Sequence, residues 1–588
     1  MSRIRRTPPA RGLVLVLVAA LSIGLAARTA QALEVKQVLW GFDGRAVPER
    51  INLLSVLVDN PAADPYNGDA TVYQGDPTGK RVGSLIAQPL YLAPFASRWV
   101  QFYVYVTSDR DDWTLEMAKR GHRLDPPDLA APARVYLLDP DAVSVRALDA
   151  KSFPEDLFPP SVSATDGLDS VLMDHAPRWE PLRRQAFLDW LRRGGTVHVF
   201  AGPDGHYPTF TSELAVLNND GAPRQRVGAG LVVRHTEEGQ RPSEKALAAE
   251  GFPPLSLERP QNRYYMASPE AGRLQTLTRL VQPKHSWPLI YLVLVLYGAL
   301  VVPVNWLLSR KWRDFRAPLA FFLICVLSAT VLLTIIGRRG YGETQKQLSV
   351  AVARQLDDGV YDVTHWTNVF MTSGGQYLLA YPGDYGIYSS GQSIETVSAI
   401  AVNGVGGRLM ADIPLYSSRP FLHRGKMQGP DLGVRLLDAQ AGERLDGLTC
   451  SVGPQFPARP VEMWALYKDR FYGLARTGDR LALVGGPGQE SKTFLSQKEE
   501  DPNIYSGPSY PAQDAGGKPE EVLPKMLRPL IARCLGGTLE QPYSFSRAAA
   551  PDNRIQLFIF AEVSGALAQG PAGGTQTGYV LYHLDLFP

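Results

Sequence analysis

A chain of 588 residues is too long for one hydrophobic core and implies about three or four domains. Its 60 Lys and Arg nearly balance its 58 Asp and Glu, leaving a formal charge of +2, which excludes the electrostatic footprint of a nucleic-acid binder. The 54 glycines, 47 prolines and 25 tyrosines favour turn-rich β structure over a helical bundle.

Residues 1–32 read as a signal peptide. Arg3, Arg5, Arg6 and Arg11 precede the apolar run Leu13 to Ala27, and Ala30-Gln31-Ala32 supplies small residues for cleavage, so the mature chain is expected to begin near Leu33. An uncleaved anchor is the alternative, and in either case the region that follows is exported. Residues 33–125 alternate short apolar runs with turn residues: Val38 to Phe42, Ile51 to Val58, Ala70 to Tyr73, Leu85 to Leu92 and Trp99 to Val106. This pattern predicts an N-terminal β-sandwich of immunoglobulin-like type.

From residue 133 to 270 strands alternate with helices, predicting an α/β domain on a parallel sheet. Arg134 to Asp139 and Ser170 to Asp174 are strands. Glu180 to Arg193 is an amphipathic helix with Leu182, Ala186, Phe187, Trp190 and Leu191 on one face, ended by Gly194-Gly195. Thr196 to Ala201 is a further buried strand, and Gln225 to Val233 reads as a β-hairpin rather than a phosphate cradle, because no helix pattern follows its Gly-x-Gly.

Two apolar stretches, 287–308 and 317–336, are each long enough to cross a bilayer. The connection 309–316 carries Arg310, Lys311, Arg313 and Arg316, which suits a short cytoplasmic loop, so the pair is predicted to be a transmembrane hairpin. Neither span contains Asp, Glu, Lys, Arg or His, which favours anchoring over transport. Residues 340–588 return to strand and turn, with candidate strands at Leu348 to Val352, Val360 to Val369, Gln376 to Ala380, Ser393 to Val402, Ile555 to Val563 and Gly578 to Leu586. Within this exported β-rich domain, 487–524 reads as a long mobile insertion and Pro524 to Leu535 as a short helix. Cys450 and Cys534 both fall on the exported side, where a disulfide between them is chemically permitted and geometry decides.

The strand ending in Asp174, the helix closing on Leu191-Arg192-Arg193-Gly194-Gly195 and the strand ending Phe200-Ala201-Gly202-Pro203 resemble exported domains of glutamine amidotransferase-like, flavodoxin-like fold. With the preceding β domain, the central hairpin and the β-rich tail, the domain order resembles a group of bacterial inner-membrane proteins often found beside MoxR-type ATPases and von Willebrand factor A membrane proteins. The resemblance implies partners of that kind. It departs from true amidotransferases at the turn Ala201-Gly202-Pro203-Asp204-Gly205, which has no nucleophilic Cys, and residues 133–270 contain no cysteine at all.

One constellation could still carry chemistry. Asp174 and His175 follow one strand, and Asp204 and His206 follow its neighbour, at carboxyl strand ends where open α/β sheets bind ligands. Two Asp and two His suit a divalent metal, as in an exported metal-dependent hydrolase; Asp residues that shape turns and solvated loop histidines account for the same pattern. The sequence therefore favours a multidomain α/β plus all-β membrane protein that binds and positions partner proteins or surface polymers in the cell envelope. It is expected to perform no catalysis and to carry no cofactor.

Overall fold

The computed structural model describes residues 33–75, 80–107, 112–140, 151–201, 205–218, 222–235, 244–258, 269–281, 287–311, 315–340, 344–390, 396–496, 518–535, 544–546 and 553–588. The expected signal segment, Asp204 and Trp312 lie outside them.

Strands β1 (Glu34–Trp40), β2 (Arg50–Asp59) and β5 (Ser97–Val106) make a three-stranded antiparallel sheet. Side chains on a strand alternate between faces, so Leu54, Val56, Phe102 and Val104 enter one core while Leu53, Tyr103 and Tyr105 enter another, and both faces are buried. The first core is shared with β3 (Tyr66–Gly75), β4 (Arg81–Leu92), β6 (Asp112–Met117) and β7 (Arg120–Leu124). Trp40 and Trp113 meet there edge to face with centroids 5.6 Å apart.

Strands β8 (Ala133–Leu138), β9 (Lys151–Pro154), β10 (Leu168–Met173), β11 (Thr196–Val199), β12 (Arg224–Val227) and β13 (Gly230–Arg234) form a second sheet in the order β12-β13-β11-β10-β8-β9. All pairings are parallel except the β12–β13 hairpin at the edge. Helix α1 (Pro181–Arg192) crosses over between β10 and β11 and buries Phe187, Trp190 and Leu191. Leu182, expected on that face, is 58% exposed, because the buried stripe starts a turn later at Ala186. Gly230 is needed where the hairpin passes under α1, since a Cβ there would collide with the Leu191 carbonyl. Helix α2 (Glu244–Ala249) covers the opposite sheet face through Leu247. The short strand β14 (Ser256–Glu258) pairs with Ser544–Ser546.

Helix α3 (Pro269–Val281) packs on the C-terminal strands. The chain then leaves through α4 (Trp287–Ala299), a π-helical turn Leu300–Val304 and α5 (Asn305–Lys311), and returns along α6 (Arg316–Gly340). Pro303 sits inside the π turn: proline has no N–H for the helical ladder, and the wider turn absorbs the missing bond. The spans Ile290–Lys311 and Arg316–Ile335 are long and apolar enough to cross a membrane, and only 6% and 11% of them is buried.

The C-terminal region centres on β15 (Lys346–Asp357) and β16 (Val360–Met371), joined at Gly359. Ser417–Gln428 pairs with β16, while Thr577–Leu586 pairs in parallel with β15 and antiparallel with Ile555–Glu562, in a sheet of 13 strands. The two β-rich regions join. Strand β4 pairs in parallel with Thr396–Val402, so N- and C-terminal strands form one seven-stranded sheet. Asn403 fastens the same seam: its amide donates to the Tyr103 carbonyl at 3.0 Å, and its own carbonyl accepts from Gln88 at 2.6 Å. Part of the expected insertion is ordered as well. Ser491–Ser496 is a helix whose Phe494 is fully buried and stacked on Phe471 at 4.2 Å, while 497–517 lies outside the described residues.

Cys450 and Cys534 are free thiols. Cys450 points into the core beneath the joined β sheets, whereas Cys534 ends helix α7 (Leu527–Cys534) and packs against the core of the opposite side. The two thiols are therefore unbonded in this structure and lie in different cores, on opposite faces of the large sheet.

Candidate functional site

Three polar constellations stand out. The first is the strand-end cluster. Asp174 and His175 leave the carboxyl end of β10, and Glu155 leaves the end of β9 two strands away in the sheet. His175 Nδ1 lies 3.1 Å from Asp174 Oδ1, and its Nε2 lies 3.0 Å from Glu155 Oε2. Glu155 is itself held: the Arg178 backbone N–H donates to its carboxylate at 3.2 Å and the Trp179 indole donates to its main-chain oxygen at 2.7 Å. Burial lowers the His175 pKa, but the two carboxylates outweigh it and raise the group to about 9. The ring is therefore an imidazolium at neutral pH, with both nitrogens donating. In that state it has no lone pair for a metal and no capacity to act as a general base. His206 is exposed on a loop, and Asp204 lies outside the described residues. Among the described residues, no group of three or more His, Cys, Asp and Glu has a metal-holding arrangement.

The second constellation lies on neighbouring strand ends. His198 Nδ1 on β11 is 2.9 Å from His235 Nε2 just beyond β13, and His235 Nδ1 is 3.2 Å from Glu250 Oε2. Phe200 stacks on His235 at 4.6 Å and Phe252 caps His198 edge-on at 5.0 Å. The chain of groups runs from a half-exposed carboxylate to a fully buried ring.

The third is a cavity of about 240 Å³ between the α/β sheet and the large C-terminal sheet. Its wall includes Arg50, Arg193, Arg354, Arg424 and Arg533 together with Asp166, Asp169 and Asp362. One side is a closed ion quartet. Arg193, at the end of α1, donates to Asp166 at 3.0 Å and to Asp362 of β16 at 2.8 Å. Arg424 donates to Asp362 at 2.6 Å and also to Asp166. Burial alone would raise the Asp362 pKa, but Arg424 and Arg193 hold it well below the usual carboxylate range. Each region contributes one acid and one base, so the quartet locks the α/β sheet to the C-terminal sheet. Lys426 adds a 2.6 Å pair to Asp189 of α1.

The other side of the cavity is less evenly balanced. Arg354 reaches only Asp585, at 3.4 Å, and Asp585 also faces Arg554 at 3.6 Å. Arg533 pairs with Glu270 at 3.1 Å, and Glu270 also holds Arg273 at 2.6 Å and accepts from the Trp366 indole. Arg354 Nε and Arg533 Nη1 are buried without a hydrogen-bond partner. His583 adds no charge to this wall, because burial pushes its pKa down to about 3.

No family model matches the chain, and no curated protein matches it. Among solved structures it is similar to a Paenibacillus sp. cycloisomaltooligosaccharide glucanotransferase complexed with cycloisomaltoheptaose, at 11% identity and a TM-score of 0.16, over 29% of this chain. The chain spans 27% of that enzyme's length, and a likeness this slight supports no conclusion about function.

Beside the sequence-adjacent Asp174 and His175 the structure places Glu155, which sequence reasoning missed because its strand, Lys151–Pro154, is only four residues long. The cavity wall had no sequence signal, because it joins residues from Arg50 to His583.

Proposed function

We propose that this chain is a bacterial inner-membrane protein whose exported mass is a non-enzymatic scaffold, binding and positioning envelope proteins or surface polymers. The observation that carries this reading is the join between regions: strands from before and after the apolar hairpin share one sheet, and the hairpin's two helices are long and apolar enough to cross a membrane. In this reading the basic 309–316 connection is cytoplasmic and both β regions are exported after removal of 1–32. The strand order β13-β11-β10-β8-β9 follows the flavodoxin-like pattern, which supports an amidotransferase-like origin for the α/β domain. The imidazolium state of His175, with both nitrogens engaged, favours a structural clamp over the metal-dependent hydrolase reading.

The test is a pulldown of the detergent-extracted protein from its native membrane, with partners identified by mass spectrometry and bound metals assayed on the same sample. Stoichiometric recovery of a MoxR-type ATPase or a von Willebrand A membrane protein supports the scaffold. A stoichiometric divalent metal that disappears on Asp174→Ala and His206→Ala overturns it in favour of an exported metalloenzyme.

A further inference from the structure

We propose that the end of the C-terminal sheet through which the chain enters and leaves the hairpin rests on the lipid bilayer, with Leu415 at a loop tip inserted at the boundary between headgroups and acyl chains. The inference rests on the membrane placement of the hairpin proposed above and not on the scaffold role.

Connectivity sets which end faces the membrane. Lys346 opens β15 opposite Phe370 near the end of β16, and Ser417 and Ser418 begin the next strand opposite Met371 and Phe370. Helix α3 runs toward the same end. Glu270 in its first turn accepts from the Trp366 indole, and about two turns later Thr278 accepts from the Asn368 amide at 2.8 Å. Val281 ends α3 six residues before Trp287 opens α4, and Gly340 ends α6 six residues before Lys346, so each link spans at most about 20 Å. Two separate links therefore hold this end of the sheet close to the apolar helices.

The turns at the two ends differ in charge. Residues 363–383, 413–418 and 563–577, which supply the turns at the hairpin end, contain no Asp, Glu, Lys or Arg. The opposite end of the same strands carries Asp357 and Asp358 between β15 and β16, Lys426 near the end of Ser417–Gln428, and Arg554 and Asp585 where the last two strands meet. Charged side chains suit a turn in water and lose hydration against a bilayer. Charged residues return farther along the seven-stranded sheet, as at Arg81 of β4, three strands from Gly375–Leu379.

The tip itself is apolar. Leu415 is 64% exposed, beside the exposed Pro414 and the half-buried Tyr416. Tyr416 adopts φ +51, a left-handed conformation that bulky residues rarely take, and so forms the sharp turn that carries Leu415. The neighbouring tip is close by, since a Cβ added at Gly374 would lie 3.0 Å from the Leu415 nitrogen. Tyr377, whose hydroxyl bonds that of Ser373 at 2.6 Å, and Leu378, 58% exposed, continue from it. Asp412, Arg419 and Lys346 stand about 10 Å behind the Leu415 tip by strand rise, at the level of lipid headgroups. A leucine apex backed by tyrosines and then by charge matches the polarity gradient of a bilayer surface. A protein partner could take the same apolar tip, but the two links to the hairpin put lipid beneath it.

The test is fluorescence quenching on the full chain reconstituted into phosphatidylcholine–phosphatidylglycerol nanodiscs. Bimane is attached at Leu415→Cys, at Val331→Cys in α6 and at Asp358→Cys on the opposite end, with unsubstituted protein setting the background from Cys325, Cys450 and Cys534. A nitroxide high on the acyl chain should quench the label at position 415 about threefold or more beyond that at 358, and the label at 331 should be quenched as well. Ser373→Cys on the neighbouring tip repeats the measurement should Leu415→Cys fail to fold. Shielding of position 415 from iodide without quenching by the nitroxide assigns the tip to a protein contact and overturns the proposal. Equal quenching at 415 and 358 with 331 quenched overturns it while leaving the hairpin in the membrane, and no quenching at 331 overturns the membrane placement and this inference together.

Discussion

The strand-end cluster around His175 and the cavity beside Arg354 make an instructive pair. The cluster has the composition of an active site, yet its groups satisfy one another: two carboxylates flank one imidazolium, and the second carboxylate is held by a backbone N–H. The cavity has no motif, yet one wall is a closed quartet of Asp166, Arg193, Asp362 and Arg424, while on the other Asp585 and Glu270 are each shared by two guanidiniums. Reactive residue types gathered in one place do not by themselves mark a ligand site when each is satisfied by the others.

The largest expected effect separates the two sides of the cavity itself. Asp362→Asn removes one of the two carboxylates that face the buried Arg193 and Arg424, and breaking a buried ion pair in this way costs about 3–5 kcal/mol. The urea midpoint in detergent should fall accordingly. A loss below 1 kcal/mol would mean that the quartet does not lock the regions together. Replacing all four members at once, Asp166 and Asp362 by Leu and Arg193 and Arg424 by Met, should recover much of the loss, since apolar packing can substitute for a buried ion network.

Next comes the cluster, where the comparison is sharpened by pH. The folded His175 pKa, about 9, lies above the unfolded value of about 6.5, so the stability it contributes is complete below pH 6.5 and disappears as pH rises through 9. The span sets an upper bound of about 3 kcal/mol. Stability measured from pH 6 to 9.5 should decline, and His175→Gln should flatten that segment of the profile. A wild-type profile that does not fall over this range would show that the ring is not held between the two carboxylates.

Gly230→Ala tests a purely steric link between α1 and the β12–β13 hairpin. The new Cβ meets the Leu191 carbonyl, a backbone atom that cannot turn aside, so overpacking should cost about 1–3 kcal/mol in melting experiments without altering the pH profile. An unchanged melting temperature would place the hairpin farther from the helix than described.

Much of this architecture was legible in the chain. Apolar runs bounded by turn residues located β2 and β5, the 3.6-residue pattern located α1, and apolar length located both spans, because each signal is local and extends over about ten or more residues. What escaped was short or distant. The strand holding Glu155's neighbour Pro154 is too brief to show periodicity, and the pairing of β4 with Thr396–Val402 joins segments more than 300 residues apart. The cavity fails both conditions, since its value lies in the balance of charges that only folding brings together.

The smallest effect concerns the cysteines, whose pairing the sequence left open and whose side chains lie in different cores. Burial raises the Cys450 thiol pKa to about 11 and that of Cys534 to about 12, so at pH 7.5 almost no thiolate is present on either. Native maleimide labelling should therefore be slow and become fast only on unfolding. Reductant should leave the melting temperature unchanged, since no cross-link constrains the unfolded chain. Loss of about 2–4 kcal/mol on reduction would instead require a bridge between the two cores. That bridge would need the large sheet to be displaced, and with it the wall that carries Arg354, so the same measurement bears on the cavity.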